Sequence, residues 1–560
     1  MSESANIARH LPLMAARQPD LPAVKIPRGR TGDGRIDYLA LTFRELDAEV
    51  NAWGARLHDR GVRPGDRVLV LVKQGLPLIA AAFALFKLGA VPVIIDPGMG
   101  RKNFLACVAR SKPRVLLGIP LAQLMSHFFR TAFATIETRV WVSASPTARL
   151  GSPGINHGTE IVNSAATDLA AILFTSGSTG APKGVCYEHG MFDAQVRLVR
   201  DTYGIEPGGV DLPMLPIFAL FNPALGLTTI VPELDPSRPA MVDPAKIVQA
   251  IQQEGVTNSF GSPTLWRKIS AHCRANQQTL PSLRRVLMAG APVPPALFAD
   301  LQAILPHGAP HSPYGATESL PLASISAREV LDETAAATAL GRGTCVGRPV
   351  KEIRLKIIAA TDGPLASLAG ARELPAGEIG EIIVSGPVVT KAYDQLPEAT
   401  AAAKIADGTQ VWHRLGDLGY LDASGRLWFC GRKAERVDTP DGSLYTEQVE
   451  PIFNAHPDVA RTALIGAGHN RRRPALVVEP RSREVVATPS LRRKLVRELR
   501  ALGAAHPHTD RIRLTYLHPH FPVDVRHNAK IHRLALARWA ATRQGYEMDK
   551  REVPMDALKR

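Results

Sequence analysis

The sequence predicts an α/β protein: a large N-terminal domain of layered α/β sheets with a β-rich subdomain, then a small α+β C-terminal domain. Three observations predict it. Apolar strand-like runs alternate with amphipathic helical stretches through most of residues 1–430, the pattern of parallel sheets covered by helices. From Ala376 the texture changes to short strands and turns. The chain has 560 residues, enough for several domains. With 45% apolar and 21% charged residues it has ordinary globular usage, which excludes collagen-like, coiled-coil and wholly disordered proteins.

Taken in order, Thr42-Phe-Arg-Glu-Leu46 opens an amphipathic helix, and Val62-Arg-Pro-Gly-Asp66 turns into an apolar strand over 67–72. A helix over 78–88 leads through Gly89-Ala90 to a strand over 91–95. The same rhythm predicts strands at 170–174, 228–231 and 285–289 and helices around 244–254 and 295–305. Short strands follow at 378–384 and in the stretch 419–431. A boundary near 431–432 divides the chain into an N-terminal domain, 1–431, and a C-terminal domain, 432–560, long enough for one small fold. No internal repeat of 20–50 residues is visible.

The longest apolar stretch, 75–86, lies between Lys73 and Lys87 and contains Pro77. It falls short of the ~18 residues a membrane span needs, so a buried helix is expected and no transmembrane segment. The N-terminus lacks the basic and apolar regions of a secretory signal, which predicts a cytoplasmic protein. Five cysteines lie far apart with no CxxC, so buried free thiols are expected. The net charge of +15 suits nucleic acid, anionic lipid or a polyanionic small molecule and does not choose among them. Its clusters, at 471–473 and 492–494, are not interleaved with aromatics, so solvated surface rather than nucleic-acid binding is expected.

The most informative segment is Phe174-Thr-Ser-Gly-Ser-Thr-Gly-Ala-Pro-Lys-Gly184, directly after the strand at 170–174. Glycines let a backbone approach an anion and point N–H groups at it. The hydroxyls of Thr175, Ser176, Ser178 and Thr179 add donors, and Lys183 adds a point charge. That set suits polyphosphate. A Ser/Gly linker has a similar composition, but linkers rarely follow a buried strand and end in Pro-Lys-Gly. It is not a GxxxxGK[ST] loop either, because Lys183 lies six residues beyond Gly177 and Pro182 stands where a helix would start.

The segment resembles the phosphate loop of the adenylate-forming superfamily, which includes acyl-CoA synthetases, luciferases and peptide-synthetase adenylation domains. Further resemblances follow in order along almost the whole chain. Met288-Ala-Gly-Ala-Pro-Val-Pro294 is similar to the adenine-binding turn, which implies Gly290, Ala291 and Pro292 at the base. Tyr314-Gly-Ala-Thr-Glu318 is similar to the motif whose aromatic stacks on adenine, whose Thr meets the α-phosphate and whose Glu holds magnesium; Gly315 and Ala316 complete it. Trp412-His-Arg-Leu-Gly-Asp417 resembles the motif whose Asp grips both ribose hydroxyls, with Leu415 where a Thr is usual. Gly431-Arg432 resembles the hinge whose Arg also reaches the ribose, and Lys530 resembles the mobile C-terminal lysine.

The resemblance implies ATP and magnesium as cofactors and a mobile C-terminal lid. It implies Lys530, Thr179 and Glu318 as catalytic residues, with Glu318 on the metal. Nucleotide contacts are implied for Thr175, Ser176, Gly177, Ser178, Thr179, Gly180 and Lys183, together with the 290–292 turn, residues 314–318, Asp417 and Arg432. The reaction would join a carboxylate to the α-phosphorus of ATP. Two anions must meet, so charge neutralisation and alignment are the catalytic problem.

Past the hinge, Ala434 stands where an Asp or Lys is usual, Asp438 where Lys or Asn is common, and Pro440-Asp441 where a thioester-forming relative has an open loop. Ala219, in Phe218-Ala-Leu-Phe-Asn222, stands where many acyl-CoA synthetases have a His. These departures, with the stretch Phe521-Pro-Val-Asp-Val-Arg-His-Asn-Ala-Lys530, resemble the olefin-biosynthesis β-lactone synthetases. That family adenylates a long-chain 2-alkyl-3-hydroxy acid and lets the substrate's own 3-hydroxyl close a β-lactone. The implied partners are the β-hydroxy fatty acid, an NAD(P)-dependent reductase and a β-lactone decarboxylase of α/β-hydrolase type. The alternative is a thioester-forming fatty-acyl-CoA synthetase. A remote alternative, a non-catalytic basic nucleic-acid or membrane-surface protein, is opposed by the intact Lys183, Glu318, Asp417 and Lys530.

The acyl channel is expected to include Phe218, Phe221, Phe260 and Gly261, although an aromatic near a helix is ordinarily core. His413 is a candidate base for the 3-hydroxyl, against a structural reading. The pairs His506/His508 and His518/His520 are read as loop residues, with no metal assigned.

Overall fold

The short apolar runs Arg67–Leu71, Val91–Ile94 and Val115–Gly118 suit strands buried on both faces, and they pair in parallel. Thr138–Trp141 extends this sheet on one side and Leu169–Thr175 on the other, also parallel. Lys183–Glu188 then closes it antiparallel to Leu169–Thr175. The computed structural model describes residues 4–150, 160–175, 181–235, 238–468, 473–523 and 531–547.

Helices cover this sheet. Phe43–Asp59 begins with a reciprocal cap: Thr42 accepts from the Glu45 amide, and the Glu45 carboxylate accepts from the Thr42 amide at 2.8 Å. The apolar stretch becomes Leu76–Lys87, a helix buried at every position except Leu78. Gly75, at its start, has φ 141°, and an added Cβ would run into Pro146, so a side chain is excluded there.

The second sheet has fourteen strands among the described residues. Its parallel part runs Pro22–Arg30, Thr228–Ile230, Val210–Pro213, Asn258–Gly261, Arg285–Met288 and Ala309–Ala316. Pro244–Glu254, Pro263–Ala275 and Pro295–Ile304 each begin with a proline, whose fixed φ and missing donor suit a first turn. They bury Ile247, Ile251, Trp266 and Phe298 in one core.

Beyond Ala309–Ala316 the strand order changes to antiparallel: Ser319–Ser326, Thr344–Pro349, Leu427–Arg432, Gln410–Leu421, Gly380–Ser385 and Arg354–Ile358. Lys404–Asp407 pairs with the side of Gln410–Leu421. The antiparallel part therefore starts at Ser319, well ahead of the texture change at Ala376. Its first two strands carry no turn-rich composition and read as a continuation of the α/β part.

The C-terminal residues form a separate sheet of Val459–Ala467, Arg473–Pro480, Leu514–Leu517 and Tyr546–Glu547. Thr446–Asn454 and Pro489–Ala504 pack with it around Val449, Phe453 and Leu499, and Arg533–Ala540 buries Leu536 in a second cluster. The five cysteines are free thiols. Among the described residues no helix is long and apolar enough to cross a membrane.

Candidate active site

In open α/β sheets the ends of parallel strands leave a crevice at their carboxyl edge. The second sheet brings many of the predicted site residues to that edge. Gly261 ends Asn258–Gly261, and Gly290, Ala291 and Pro292 follow Arg285–Met288. Tyr314, Gly315 and Ala316 end Ala309–Ala316, with Thr317 and Glu318 in the turn beyond. The Ala289 amide donates to the Gly261 carbonyl at 3.3 Å and ties two of these edges together. Phe218 follows Val210–Pro213 and stacks on Phe260, with ring centroids 3.7 Å apart.

The first sheet supplies the other wall. Thr175 and Lys183 are cross-strand partners, so the segment between them joins an antiparallel pair. Ser176, Gly177, Ser178, Thr179 and Gly180 lie outside the described residues, as does Lys530. The Lys183 ammonium sits 4.7 Å from the Tyr393 ring centroid. The Tyr393 hydroxyl donates to Glu318 Oε1 at 2.8 Å, and the Thr390 amide donates to the Glu318 carbonyl at 2.9 Å. The Tyr187 hydroxyl donates to the Thr317 carbonyl. Thr317 and Glu318 are thus held from two segments distant in sequence.

These residues fit a magnesium ion that arrives with the nucleotide. Such an ion uses one or two protein carboxylates and takes its remaining ligands from phosphates and water. Glu318 offers one carboxylate, and among the described residues no group of three His, Cys, Asp or Glu side chains converges to hold a resident ion.

Asp417 and Arg432 are register partners on neighbouring antiparallel strands. Asp417 Oδ1 lies 2.9 Å from Arg432 Nη1, and Asp417 Oδ2 accepts the Tyr314 hydroxyl at 2.5 Å. Burial and the Asp417 charge push the Tyr314 phenol far above its ordinary range, so it stays protonated and donates. The Asp417 charge likewise raises Arg432. Arg432 Nη1 also donates to the Leu415 carbonyl at 3.2 Å. Position 415 serves this corner through its backbone, while its side chain is buried in the core.

The segment after Arg432 is anchored by buried charge. Glu381 accepts from Arg414 at 2.7 Å and from Lys433 at 3.1 Å. Gly431 has φ 130°, and an added Cβ would overlap Thr446. Arg533, three residues beyond Lys530, bonds Glu450 through two nitrogens and Glu435 at 2.9 Å. Val437–Thr439 and Gly442–Leu444 form a tight hairpin, and Arg511 pins its turn by donating to the Asp441 carbonyl at 2.9 Å. Ala434 lies in the short turn ahead of this hairpin, Asp438 lies on its first strand, where it pairs with Arg436, and Pro440 lies in its turn.

Comparison with known proteins agrees with this geometry. Residues 13–394 match the family model described as AMP-binding enzyme. The chain belongs to the AMP-binding enzyme family. It is 47% identical over 554 residues to a protein of Xanthomonas campestris pv. campestris named olefin beta-lactone synthetase, covering 97% of this chain and 98% of that one. A protein of the same name from Stenotrophomonas maltophilia is 46% identical over 565 residues, covering 98% of this chain and all of that one. Among solved structures, ATP-bound MatB from Rhodopseudomonas palustris shares the fold, with TM-score 0.77 at 20% identity over 96% of this chain and 99% of that one.

This AMP-binding enzyme also carries an apolar cavity, partly open to solvent. Val70, Ala82, Phe83, Leu173, Phe192 and Phe221 are among its lining residues. Phe192 stacks on Tyr187 with centroids 5.0 Å apart, so one aromatic pair separates the cavity from the Thr317 carbonyl. Phe221 lies at the cavity, while Phe218 and Phe260 stack next to it. At Gly261 an added Cβ would collide with Met214 and crowd Trp266, which explains the glycine by packing.

His413 is buried, and its Nδ1 faces the Ala403 carbonyl at 3.1 Å, so that nitrogen carries the proton and the ring is neutral. Burial and Lys404, its cross-strand partner, hold it well below the usual histidine range. His508 is tied to the Gln448 carbonyl and His518 packs on Trp539, both in the C-terminal residues. Sequence reasoning missed Tyr187, Thr390, Tyr393 and Lys404. The one available signal was the position of Tyr187 four residues past Lys183, on the same face of its strand.

Proposed function

We propose that this AMP-binding enzyme activates a long-chain 2-alkyl-3-hydroxy acid with ATP and closes it to a β-lactone, releasing pyrophosphate and then AMP. The observation that carries the reading is full-length 47% identity to an olefin beta-lactone synthetase, in a chain where Tyr314, Asp417 and Arg432 are joined in one corner. In the first half-reaction a carboxylate oxygen attacks the α-phosphorus and the bond to the leaving pyrophosphate breaks. In the second, the 3-hydroxyl oxygen attacks the acyl carbon, the acyl–phosphate bond breaks, and AMP leaves while the hydroxyl proton passes to a base or to water.

Tyr314 carries the adenine, with the 290–292 turn along its edge. Asp417 and Arg432 orient the ribose, Thr317 meets the α-phosphate, and Lys183 with the 175–180 loop receives the leaving pyrophosphate. Bound with ATP at Glu318, magnesium would offset phosphate charge. Residues 432–560 act as a lid, and Lys530 completes the adenylation site. Because the second nucleophile belongs to the substrate, no separate thiol tunnel is required. Proximity alone can supply an effective molarity on the order of 10⁵ M. The closed hairpin at 437–444, its turn pinned by Arg511, supports this over thioester formation.

The cavity beside Phe221 and the Phe218–Phe260 stack offer apolar room for alkyl chains. The reaction class implies a reductase that supplies the hydroxy acid and a decarboxylase of α/β-hydrolase type that consumes the lactone. The test is incubation with ATP, magnesium and a 2-alkyl-3-hydroxy acid in the absence of CoA. AMP and a lactone carbonyl forming together support the reading; AMP and a thioester forming only on addition of CoA reject it.

A further inference from the structure

A surface helix ordinarily turns its apolar residues inward. Pro120–Phe128, which joins Val115–Gly118 to Thr138–Trp141, does the reverse. Its buried face carries Ala122, Gln123 and Ser126. Gln123 Nε2 donates to the Val140 carbonyl at 3.0 Å and to the Gly118 carbonyl at 3.3 Å, and Ser126 Oγ donates to the Gln123 carbonyl at 2.7 Å. Polar bonds thus fasten the helix to the edge of the first sheet. Its outer face carries Leu121, Leu124 and Phe128, spaced i, i+3 and i+7 on one stripe. Trp141 ends the edge strand beside it. Val140 points into the core on the other side of the sheet, so Trp141 shares with Arg139 the face on which the helix lies. Leu121, Leu124, Phe128 and Trp141 are 50–75% exposed and make up half of the large apolar side chains exposed among the described residues.

The free charge around this stripe has one sign. Arg130 donates to the His127 carbonyl in the last turn of the helix at 3.3 Å, Arg139 donates to Ser126 Oγ at 3.4 Å, and Arg56 donates to the Trp141 carbonyl at 2.7 Å. Among the described residues none of these three guanidiniums pairs with a carboxylate. Glu137, the one carboxylate between positions 119 and 150, lies on Arg114 at 3.3 Å. An apolar stripe rimmed by cations fits a surface that is apolar beneath an anionic layer. A second copy of this chain fits poorly, because a two-fold contact would set the same arginines against each other. The stripe runs along the outer side of one helix, which a fluid layer accepts without matched pockets. Met125 and Phe129 pack on the side of Leu69 and Val93, whereas Val70 and Leu173 line the cavity from the other face of the sheet. A layer lying on the stripe therefore leaves the cavity uncovered.

We propose that Pro120–Phe128 and Trp141 dock this enzyme on a membrane surface bearing anionic phospholipids. Leu121, Leu124, Phe128 and Trp141 enter the boundary between headgroups and acyl chains, the level that aromatic and leucine side chains favour, while Arg56, Arg130 and Arg139 meet headgroup phosphates. The helix lies on the membrane and does not cross it: nine residues reach about 14 Å, against a hydrocarbon core of about 30 Å. The contact is independent of the adenylation reading. Where that reading holds, it brings the enzyme to the phase in which a two-chained acid dissolves.

The experiment is co-sedimentation of the full chain with vesicles of phosphatidylcholine alone and with vesicles containing about a third phosphatidylglycerol, at about 0.1 M and about 0.5 M salt. The wild type is expected to bind the anionic vesicles at low salt, at least tenfold more tightly than the neutral ones, and to lose most of that preference at high salt. The double variant Leu124→Gln with Phe128→Gln keeps helix-forming residues at solvent-facing positions and is expected to bind roughly 10- to 100-fold more weakly. Arg130→Gln with Arg139→Gln is expected to erase the preference for anionic vesicles, and decides the matter if the first variant fails to fold. Both variants are expected to exchange pyrophosphate into ATP as wild type does, which separates docking from catalysis. Wild type that stays in the supernatant with anionic vesicles overturns the proposal and leaves the stripe to a protein partner. Vesicle binding that both variants retain at wild-type strength overturns it too, as does a wild-type dimer in light scattering that the Leu124/Phe128 variant abolishes. None of these results bears on adenylation, which fails only if the wild type exchanges no pyrophosphate.

Discussion

Replacing Asp417 with Asn removes one charge from the proposed ribose corner and keeps the side-chain volume. In the free protein Asp417 accepts from Tyr314 at 2.5 Å and pairs with Arg432 at 2.9 Å. An amide still accepts from the tyrosine but cannot neutralise the guanidinium. Breaking a buried pair costs about 3–5 kcal/mol. The Arg432 side chain is 35% exposed, so water screens part of that loss, leaving about 1–2 kcal/mol of fold stability. Nucleotide affinity loses charge-assisted hydrogen bonds to the ribose, about 1.5–3 kcal/mol or roughly 10- to 150-fold. Calorimetry with ATP and with 2′,3′-dideoxy-ATP separates the two effects. Wild type is expected to prefer ATP, and Asp417→Asn to bind both nucleotides about equally. A variant that binds weakly yet discriminates as well as wild type would refute the assignment of Asp417 to the ribose.

Three further outcomes are expected. Tyr393→Phe removes the hydroxyl that steadies Glu318, so the magnesium concentration needed for half-maximal pyrophosphate exchange should rise about 3- to 10-fold; an unchanged requirement would detach Glu318 from the metal. Ala82→Phe fills part of the cavity and should lower kcat/KM more for long-chain acids than for short ones, by up to about fourfold for each methylene excluded; a chain-length profile like wild type's would remove the alkyl chain from that cavity. Glu447 accepts from Thr344 at 2.8 Å, and burial with Glu450 nearby raises its carboxyl from 4.5 to about 7. With the folded value above the unfolded one, the protein is least penalised below pH 4.5 and loses about 3 kcal/mol as pH rises through 7. Glu447→Gln should therefore melt a few degrees above wild type at pH 8 and with it at pH 4. Equal melting at both would place that carboxyl in water.

The strands and helices of both sheets were legible where apolar residues recur without interruption, as at 67–72 and 91–95, or where a Thr and a Glu bracket a helix start, as at Thr42 and Glu45. Glu318, Asp417 and Arg432 were picked out by resemblance to short family motifs, and the structure sets Asp417 and Arg432 side by side on neighbouring strands. The support behind them was not legible. Tyr393 reaches Glu318 across 75 residues of chain and Tyr187 reaches Thr317 across 130, and nothing local in the sequence encodes such pairings. Lys404 was hidden for another reason. It follows a run of alanines that reads as a helix, and only the pairing of Lys404–Asp407 with Gln410–Leu421 turns it toward Thr390. The early onset of the antiparallel strands escaped because strand direction is a property of the sheet rather than of any one strand. The antiparallel hairpin at 437–444 was foreshadowed by Pro440 and Asp441, turn residues placed between two short strands.

In the proposed reaction the substrate's own hydroxyl, not an external thiol, discharges the adenylate. The most direct measurement is a multiple-turnover reaction with ATP, magnesium and a 2-alkyl-3-hydroxy acid, with and without CoA, following AMP and the carbonyl product together. Equal amounts of AMP and β-lactone, formed at the same rate in both, are expected. AMP limited to one equivalent per enzyme until CoA is added, with a thioester as the product, would contradict it.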